Sequence, residues 1–292
     1  MIKYACIPAF NEEQQLQKLI PKLNKYVDQV IVCDDGSSDN TKQVSEKLGA
    51  KVISHDRNYG KGKALKTIFD YVKQSDAEII VTIDGDGQFS PDEVPKLMTP
   101  ILNGDADIVI GNRFSTNEEI PSYRKIGNKI LNQLTNLASD SSVGDSQSGF
   151  RAYSKDIIKK IDFKSNGFAA DSEILISASK YNARIFETPV KVIYNTGGRT
   201  STQNPISHSG NVVSSLIELL ALKHPLLLLG LPGLILFSIG SIFSVIAVLI
   251  FNDTRYFSIP TTLIALGSLL FGLILILMSV LLFSIQRIFY RR

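Results

Sequence analysis

The sequence predicts an α/β protein: a mostly parallel sheet with helices on both faces, followed by a two-helix transmembrane hairpin. Three observations predict it. Over residues 1–200, short apolar runs alternate with helix-patterned segments, as βα units do. Two of those runs end in the acidic, glycine-bearing stretches "CDDGSSD" and "IDGDGQ", where a parallel sheet places its ligands. Charge then vanishes from Leu226 to Phe251 and again from Phe257 to Ile285, and about 20 apolar residues suffice to cross a bilayer.

Taken in order, the expected strands are Ile2–Ile7, Gln29–Cys33, Ala50–Ser54, Glu78–Ile83 and Asp107–Ile110. Between them "EEQQLQKLIPKLNKY", "DNTKQVSEKL", "KGKALKTIFDYVKQ" and "PDEVPKLMTPIL" read as helices. Ser90 is placed to cap the last of these, and Pro91 suits its first turn. The sheet-bearing soluble domain is expected over 1–205. An amphipathic juxtamembrane helix is expected over 206–224, since "VVSSLIELLALKH" has apolar positions suited to a membrane surface, though a plain linker helix fits equally. The hairpin occupies 225–292, with spans over about 226–251 and 258–285. Lys223 precedes the first span, and Arg287, Arg291 and Arg292 accompany the end of the second. Positive residues favour the cytoplasmic side, which puts the soluble domain and the C-terminus there, in a multi-pass cell-membrane protein.

Composition narrows the function. A net charge of +3 with no basic run among aromatics argues against nucleic acid as a partner. Cys6 and Cys33 lie inside apolar runs and read as buried, reduced thiols, and the three histidines are scattered. The N-terminus enters a strand directly, without the apolar region of a signal peptide.

Asp84 and Asp86 stand one residue apart, so an extended backbone would aim both at one site, with Gln88 continuing the alternation. Gly85 and Gly87 permit close approach of a ligand. Oxygen donors of this kind suit Mg2+ or Mn2+ shared with a substrate's phosphates. A Ca2+ loop is excluded, because Phe89 stands where that loop needs glycine. A solvated polar turn is the competing reading. Asp34 and Asp35 end another strand, where a carboxylate can accept the ring N–H of uracil or guanine. An ordinary turn with Asp39 as helix cap is the alternative there. "GKGKAL" places glycines and lysines at a helix start, a position suited to phosphate. It lacks P-loop spacing, and solvated lysines would also fit. No G-x-G-x-x-G occurs.

Together, "IPAFNEE", "DDGSSDNT", "NYGKGKAL", "DGDGQFSP", "GNRF" and "DSQSGFRAYS" resemble, in that order, the family-2 glycosyltransferases of the GT-A fold. The likeness is greatest to the polyprenyl-phosphate type, such as dolichol-phosphate mannose and glucose synthases. Processive synthases of the wider family carry Q-x-x-R-W, and this chain has no tryptophan. The resemblance implies that Pro8, Phe10, Glu12 and Asp34 line a nucleoside pocket. It makes Asp84 and Asp86 the D-x-D pair, with Asp86 and Gln88 as leading metal ligands. Arg113 would hold the donor diphosphate or acceptor phosphate. Asp145, as base or orienter, and Glu173 fall near the acceptor, and Arg124 resembles an acceptor-phosphate arginine. Arg199, in "IYNTGGRTST", stands where the family usually shows an arginine followed by a glycine-serine-lysine cluster.

The implied reaction is metal-dependent, inverting transfer from a UDP- or GDP-sugar to a polyprenyl (dolichyl) phosphate, supplying lipid-linked sugar for protein glycosylation. Alternatives are a lipid or glycan hydroxyl acceptor, and a non-catalytic nucleotide-sugar-binding membrane regulator. Two spans per chain leave room for a homo-oligomer.

Overall fold

A computed structural model describes residues 1–114, 122–139, 141–163, 170–193 and 224–290. The chain divides into two units, Met1–Leu216 and Ile217–Arg292. The expected juxtamembrane helix, over 206–224, falls almost wholly outside the described residues.

The first unit is built on a seven-stranded sheet in the order β3-β2-β1-β4-β6-β5-β7. The strands are β1 Lys3–Ala9, β2 Gln29–Asp34, β3 Lys51–Ser54, β4 Ile79–Thr82, β5 Ile108–Asn112, β6 Arg151–Ser154 and β7 Ile185–Pro189. Only β6 runs against its neighbours, pairing antiparallel with both β4 and β5. The helices are α1 Glu13–Leu23, α2 Thr41–Lys47, α3 Lys61–Lys73, α4 Val94–Leu102, α5 Ser122–Ser139, α6 Lys155–Lys160 and α7 Ala170–Ser179.

Strand alternation sorts the core into two layers. Ala5, Ile7, Val30, Val32 and Val81 face Leu16, Leu19 and Leu97 of α1 and α4. Cys6, Ile31, Cys33 and Ile80 face Leu65, Ile68 and Ile174 of α3 and α7. Burial of each such leucine or isoleucine contributes about 1.5–3 kcal/mol. Both cysteines are buried and free.

Three local readings change. "PDEVPKLMTPIL" divides into a 3-10 turn, Pro91–Glu93, and α4. Ser90 does cap the turn, accepting from Asp92 N at 3.4 Å. Asn40, not Asp39, takes the cap position of α2, while Asp39 accepts from Thr41 N at 3.0 Å and from Glu13 N at 3.3 Å, joining α2 to α1. Finally, β6 and β7 are strands without a sequence signal. "RAYS" is too short to show alternation, and "IFETP" is a half-exposed edge that ends in proline.

The chain order reverses at the centre of the sheet: β1 leads outward to β2 and β3, then β4 returns to the other side of β1. Such a switch opens a crevice at the C-terminal strand ends.

The second unit contains a π-turn, Leu226–Gly230, running into α8, Leu231–Thr254, and then α9, Ile259–Tyr290. Both are long and apolar enough to cross a membrane. Gly233, Gly240 and Gly272 let them approach closely, since a Cβ at Gly240 would lie 2.7 Å from Leu269 N. Their outer faces present Leu234, Ile242, Leu249, Leu263 and Phe271 uncovered.

Candidate active site

The site is built at the switch point. β1 ends at Ala9, and the turn that follows needs Asn11 at φ 56, a left-handed conformation asparagine tolerates. The Asn11 side chain accepts from Ser38 N at 2.8 Å, binding this turn to the one after β2. Pro8 and Phe10 lie half-buried here, and Gly85 backs onto Pro8, whose carbonyl oxygen is 3.4 Å from where a Gly85 Cβ would be.

Asp34 and Asp35 are both buried. Asp34 Oδ1 accepts from Ser37 N at 3.1 Å, so one oxygen supports the turn. Asp35 acts as an anchor. It accepts from Tyr59 N at 3.1 Å, from Gly60 N at 2.7 Å, and meets His55 Nδ1 at 2.6 Å. Those bonds place the first residue of α3, Lys61. Its ammonium bridges Asp84, at 2.8 Å, and Asp171, at 3.2 Å.

Asp84 and Asp86 do come together, but the backbone carries them through a turn rather than along an extended strand. Gly87 has φ +73, and Asp86 Oδ1 accepts from Gln88 N at 3.0 Å. The Gln88 carbonyl accepts from Ile193 N at 2.8 Å. Gly149 makes room for the Asp84 carboxylate: a Cβ there would collide with both of its oxygens and displace it. Burial, then repulsion from Asp84, pushes the Asp86 carboxyl up to about 6, against the pull of Gln88 N–H, Lys61 and Arg113. Glu12 is pushed up to about 7 by burial, with Asp86, Asp39 and Asp84 adding repulsion.

Among the described residues, no three His, Cys, Asp or Glu side chains form a closed metal cage. Glu12, Asp84 and Asp86 nonetheless crowd one place, and a dication there would relieve the repulsion among them. Two carboxylates completed by substrate phosphates is a manner of binding suited to Mg2+. The donor set therefore fits such an ion.

On the other side of β4, Arg113 follows β5. Its guanidinium is held by Asp145, with Nε to Oδ2 and Nη2 to Oδ1 both at 2.7 Å, and its amide donates to Oδ2 at 3.1 Å. Asp145 is wholly buried. Glu187 of β7 clamps the loop beneath, accepting from Gly144 N at 2.9 Å, Asp145 N at 3.0 Å and Asn112 Nδ2 at 3.2 Å. Arg151, also wholly buried, donates to the carbonyls of Ser148, Asp171 and Ser146 at 2.8, 2.8 and 2.6 Å. It thereby ties the Asp145 loop to the start of α7, where Asp171 is buried and Glu173 half-buried.

Of the expected residues, Pro8, Phe10, Glu12, Asp34, Asp84, Asp86, Gln88, Arg113 and Asp145 lie at or just beyond strand ends or in the loop entering β6. Arg124 lies in the first turn of α5, its side chain outside the described residues, as is Arg199. Asp171, Arg151 and Glu187 join the site without having been expected there individually. Lys61 was visible as part of a glycine-lysine helix start, but its carboxylate partners were not.

A profile described as glycosyl transferase family 2 matches residues 4–162. An uncharacterised protein of Methanocaldococcus jannaschii is 36% identical, the alignment covering 72% of this chain and 86% of that one. The UDP-N-acetylglucosamine–dolichyl-phosphate N-acetylglucosaminyltransferase of Methanococcus voltae is 36% identical, over 65% of this chain and 85% of its own. Among solved structures, Mycobacterium tuberculosis glucosyl-3-phosphoglycerate synthase in complex with Mn2+, UDP and glucosyl-3-phosphoglycerate superposes with TM-score 0.58. It is 23% identical and covers 75% of this chain and 79% of its own, a likeness of fold, the GT-A fold.

Proposed function

This chain belongs to glycosyl transferase family 2, and from that premise we propose that it transfers a sugar from a nucleoside diphosphate to a polyprenyl phosphate at the cytoplasmic membrane face. The observation that carries the reading is the gathering of Glu12, Asp84 and Asp86 with Lys61 and Arg113 at one switch point, in a chain with two membrane-length helices. The Methanococcus voltae relative, named for a dolichyl-phosphate acceptor, supports the same class.

Pro8, Phe10 and Asp34 receive the nucleoside. Mg2+ or Mn2+ on Asp86, Asp84 and Gln88 would supply charge neutralisation for the departing nucleoside diphosphate. Arg113, held by Asp145, presents a rigid fork to phosphate oxygens. Arg124, Glu173 and Arg199 serve the acceptor side. A phosphate monoester is already anionic at neutral pH, its second pKa being about 6, so it needs orientation more than a base. One of its oxygens bonds to the anomeric carbon, the bond from that carbon to the donor phosphate breaks, and in-line attack inverts the configuration. The hairpin keeps the domain beside an acceptor whose tail stays in the bilayer. Lys223, Arg287, Arg291 and Arg292 support the cytoplasmic orientation.

A hydroxyl acceptor would require a general base. Asp145 is poorly suited to that role, its carboxylate being engaged by Arg113 at both oxygens. The test is incubation of the full chain with tritiated UDP-N-acetylglucosamine, UDP-glucose or GDP-mannose and dolichyl or undecaprenyl phosphate. Label entering the lipid fraction, and lost with EDTA, is expected. No transfer from any pairing would overturn the proposal.

A further inference from the structure

Lys61 is an unusual first residue for a helix. The N-terminus of a helix carries partial positive charge and favours anions, yet the first turn of α3 has no acidic residue and contains Lys61 and Lys63. Something other than helix stability places the ammonium there. The backbone before it is held by Asp35 through Tyr59 N and Gly60 N, and Gly60 adopts φ +94. The side chain then reaches Asp84 at 2.8 Å and Asp171 at 3.2 Å.

The site thus contains two cations of different character. Arg113 is gripped by both oxygens of a wholly buried carboxylate, a fixed fork. Lys61 is a point charge on a flexible stem with two partners at similar distances, and an ammonium moves between carboxylates at little geometric cost. Asp84 is one of the two carboxylates that would bind the dication, and it cannot give full charge to both cations.

We propose that Lys61 is the resident counter-cation of Asp84: it neutralises this carboxylate when no dication is bound, and yields it on metal binding while keeping Asp171. This rests on the metal reading of Asp84 and Asp86. Asp171 makes the exchange possible, because Lys61 is left paired rather than stranded. Lys61 therefore opposes metal binding in the absence of nucleotide, so that an empty donor site retains little metal.

The experiment is a Mn2+ titration of the nucleotide-free full chain in detergent, read by electron paramagnetic resonance of free Mn2+. Lys61→Met is expected to tighten Mn2+ binding by roughly two- to fivefold, the worth of a partly exposed ion pair. Lys63→Met removes the same charge two residues along the same helix, where the side chain is exposed, and is expected to change affinity by less than about twofold through loss of screened long-range repulsion alone. Lys61→Arg, whose fork grips its carboxylate partners more firmly, is expected to weaken Mn2+ binding, and keeps the question answerable should Lys61→Met not fold. Equal affinities for the Lys61→Met and Lys63→Met proteins, or weaker binding by Lys61→Met, would overturn the inference while leaving the metal reading intact. So would Lys61→Arg binding Mn2+ as tightly as the wild type. Failure of the wild-type chain to bind Mn2+ with or without UDP would overturn both.

Discussion

Asp145 grips Arg113 with both carboxylate oxygens, at 2.7 Å to Nε and 2.7 Å to Nη2, and takes the Arg113 amide as well. This removes the simplest mutational test of a base. Asp145→Asn loses one charged acceptor and releases the arginine, so activity falls under either role. The expected outcome is a loss of about 10²-fold in kcat, the usual cost of misplacing a phosphate-positioning group. The shape of the pH–rate profile separates the roles. A positioning residue leaves its limbs unchanged, whereas loss of the acidic limb would identify a base.

Gly149 leaves no room for a side chain against Asp84. Gly149→Ala is expected to displace that carboxylate and lower kcat/KM by about 10²-fold. The fold should persist, because the collision falls on a half-buried side chain rather than on the core. A thermal melt near wild type with weakened Mn2+ binding is the confirming pair of measurements. Unchanged turnover would mean that Asp84 is dispensable.

Glu12 and Asp86, raised to about 7 and about 6, give the metal-free protein a definite pH dependence. Free carboxyls titrate near 4. Between about pH 4 and 7 the folded chain holds protons that the unfolded chain has lost, so these groups make stability fall as pH rises. In EDTA the melting temperature of the wild type should therefore decline from pH 5 to pH 8 by more than that of Asp86→Asn. Mn2+ should narrow the difference at pH 8. Metal binding releases protons, so Mn2+ affinity should weaken below about pH 6–7. A pH-independent affinity over that range would contradict the carboxylate ligands.

Gly240 sits where α8 meets α9, and a Cβ would lie 2.7 Å from Leu269 N. Gly240→Leu is expected to force the two helices apart and lower the melting temperature of the full chain in detergent. Leu249→Ala, on an uncovered face, should not. Equal effects from the two substitutions would mean that the helices do not pack as described.

The parallel half of the sheet was legible because each strand leaves a local trace: an apolar run, then a short polar motif. Pro8, Glu12, Asp34, Asp84 and Arg113 could be placed for that reason, each at or just beyond a strand end. The rest depends on partners distant in the chain. Nothing near Lys61 points to Asp171, and nothing near Glu187 points to Gly144 and Asp145, whose amides it accepts from. Arg151 is part of the motif "DSQSGFRAYS", but nothing in that run shows that it is wholly buried and satisfied by three carbonyls. The aspartate turn was found for the wrong geometric reason. Asp84 and Asp86 meet through a turn that Gly87, at φ +73, follows, a conformation that residue spacing does not report.

Because β6 runs opposite to its neighbours, the chain enters that strand where it leaves the others, with Arg151 beside Thr82. Asp145 and Gly149 thus arrive as an inbound loop, while Pro8, Asp34, Asp84 and Arg113 are carried on outbound ones. The crevice has a seam along β4, with each side supplied by a separate stretch of chain. Exchanging residues 122–199 for those of a homologue would leave every pairing among β1, β2, β3 and β4 in place. Acceptor choice should travel with the transplanted segment and nucleotide choice should stay behind, making the seam a natural cut for chimeras.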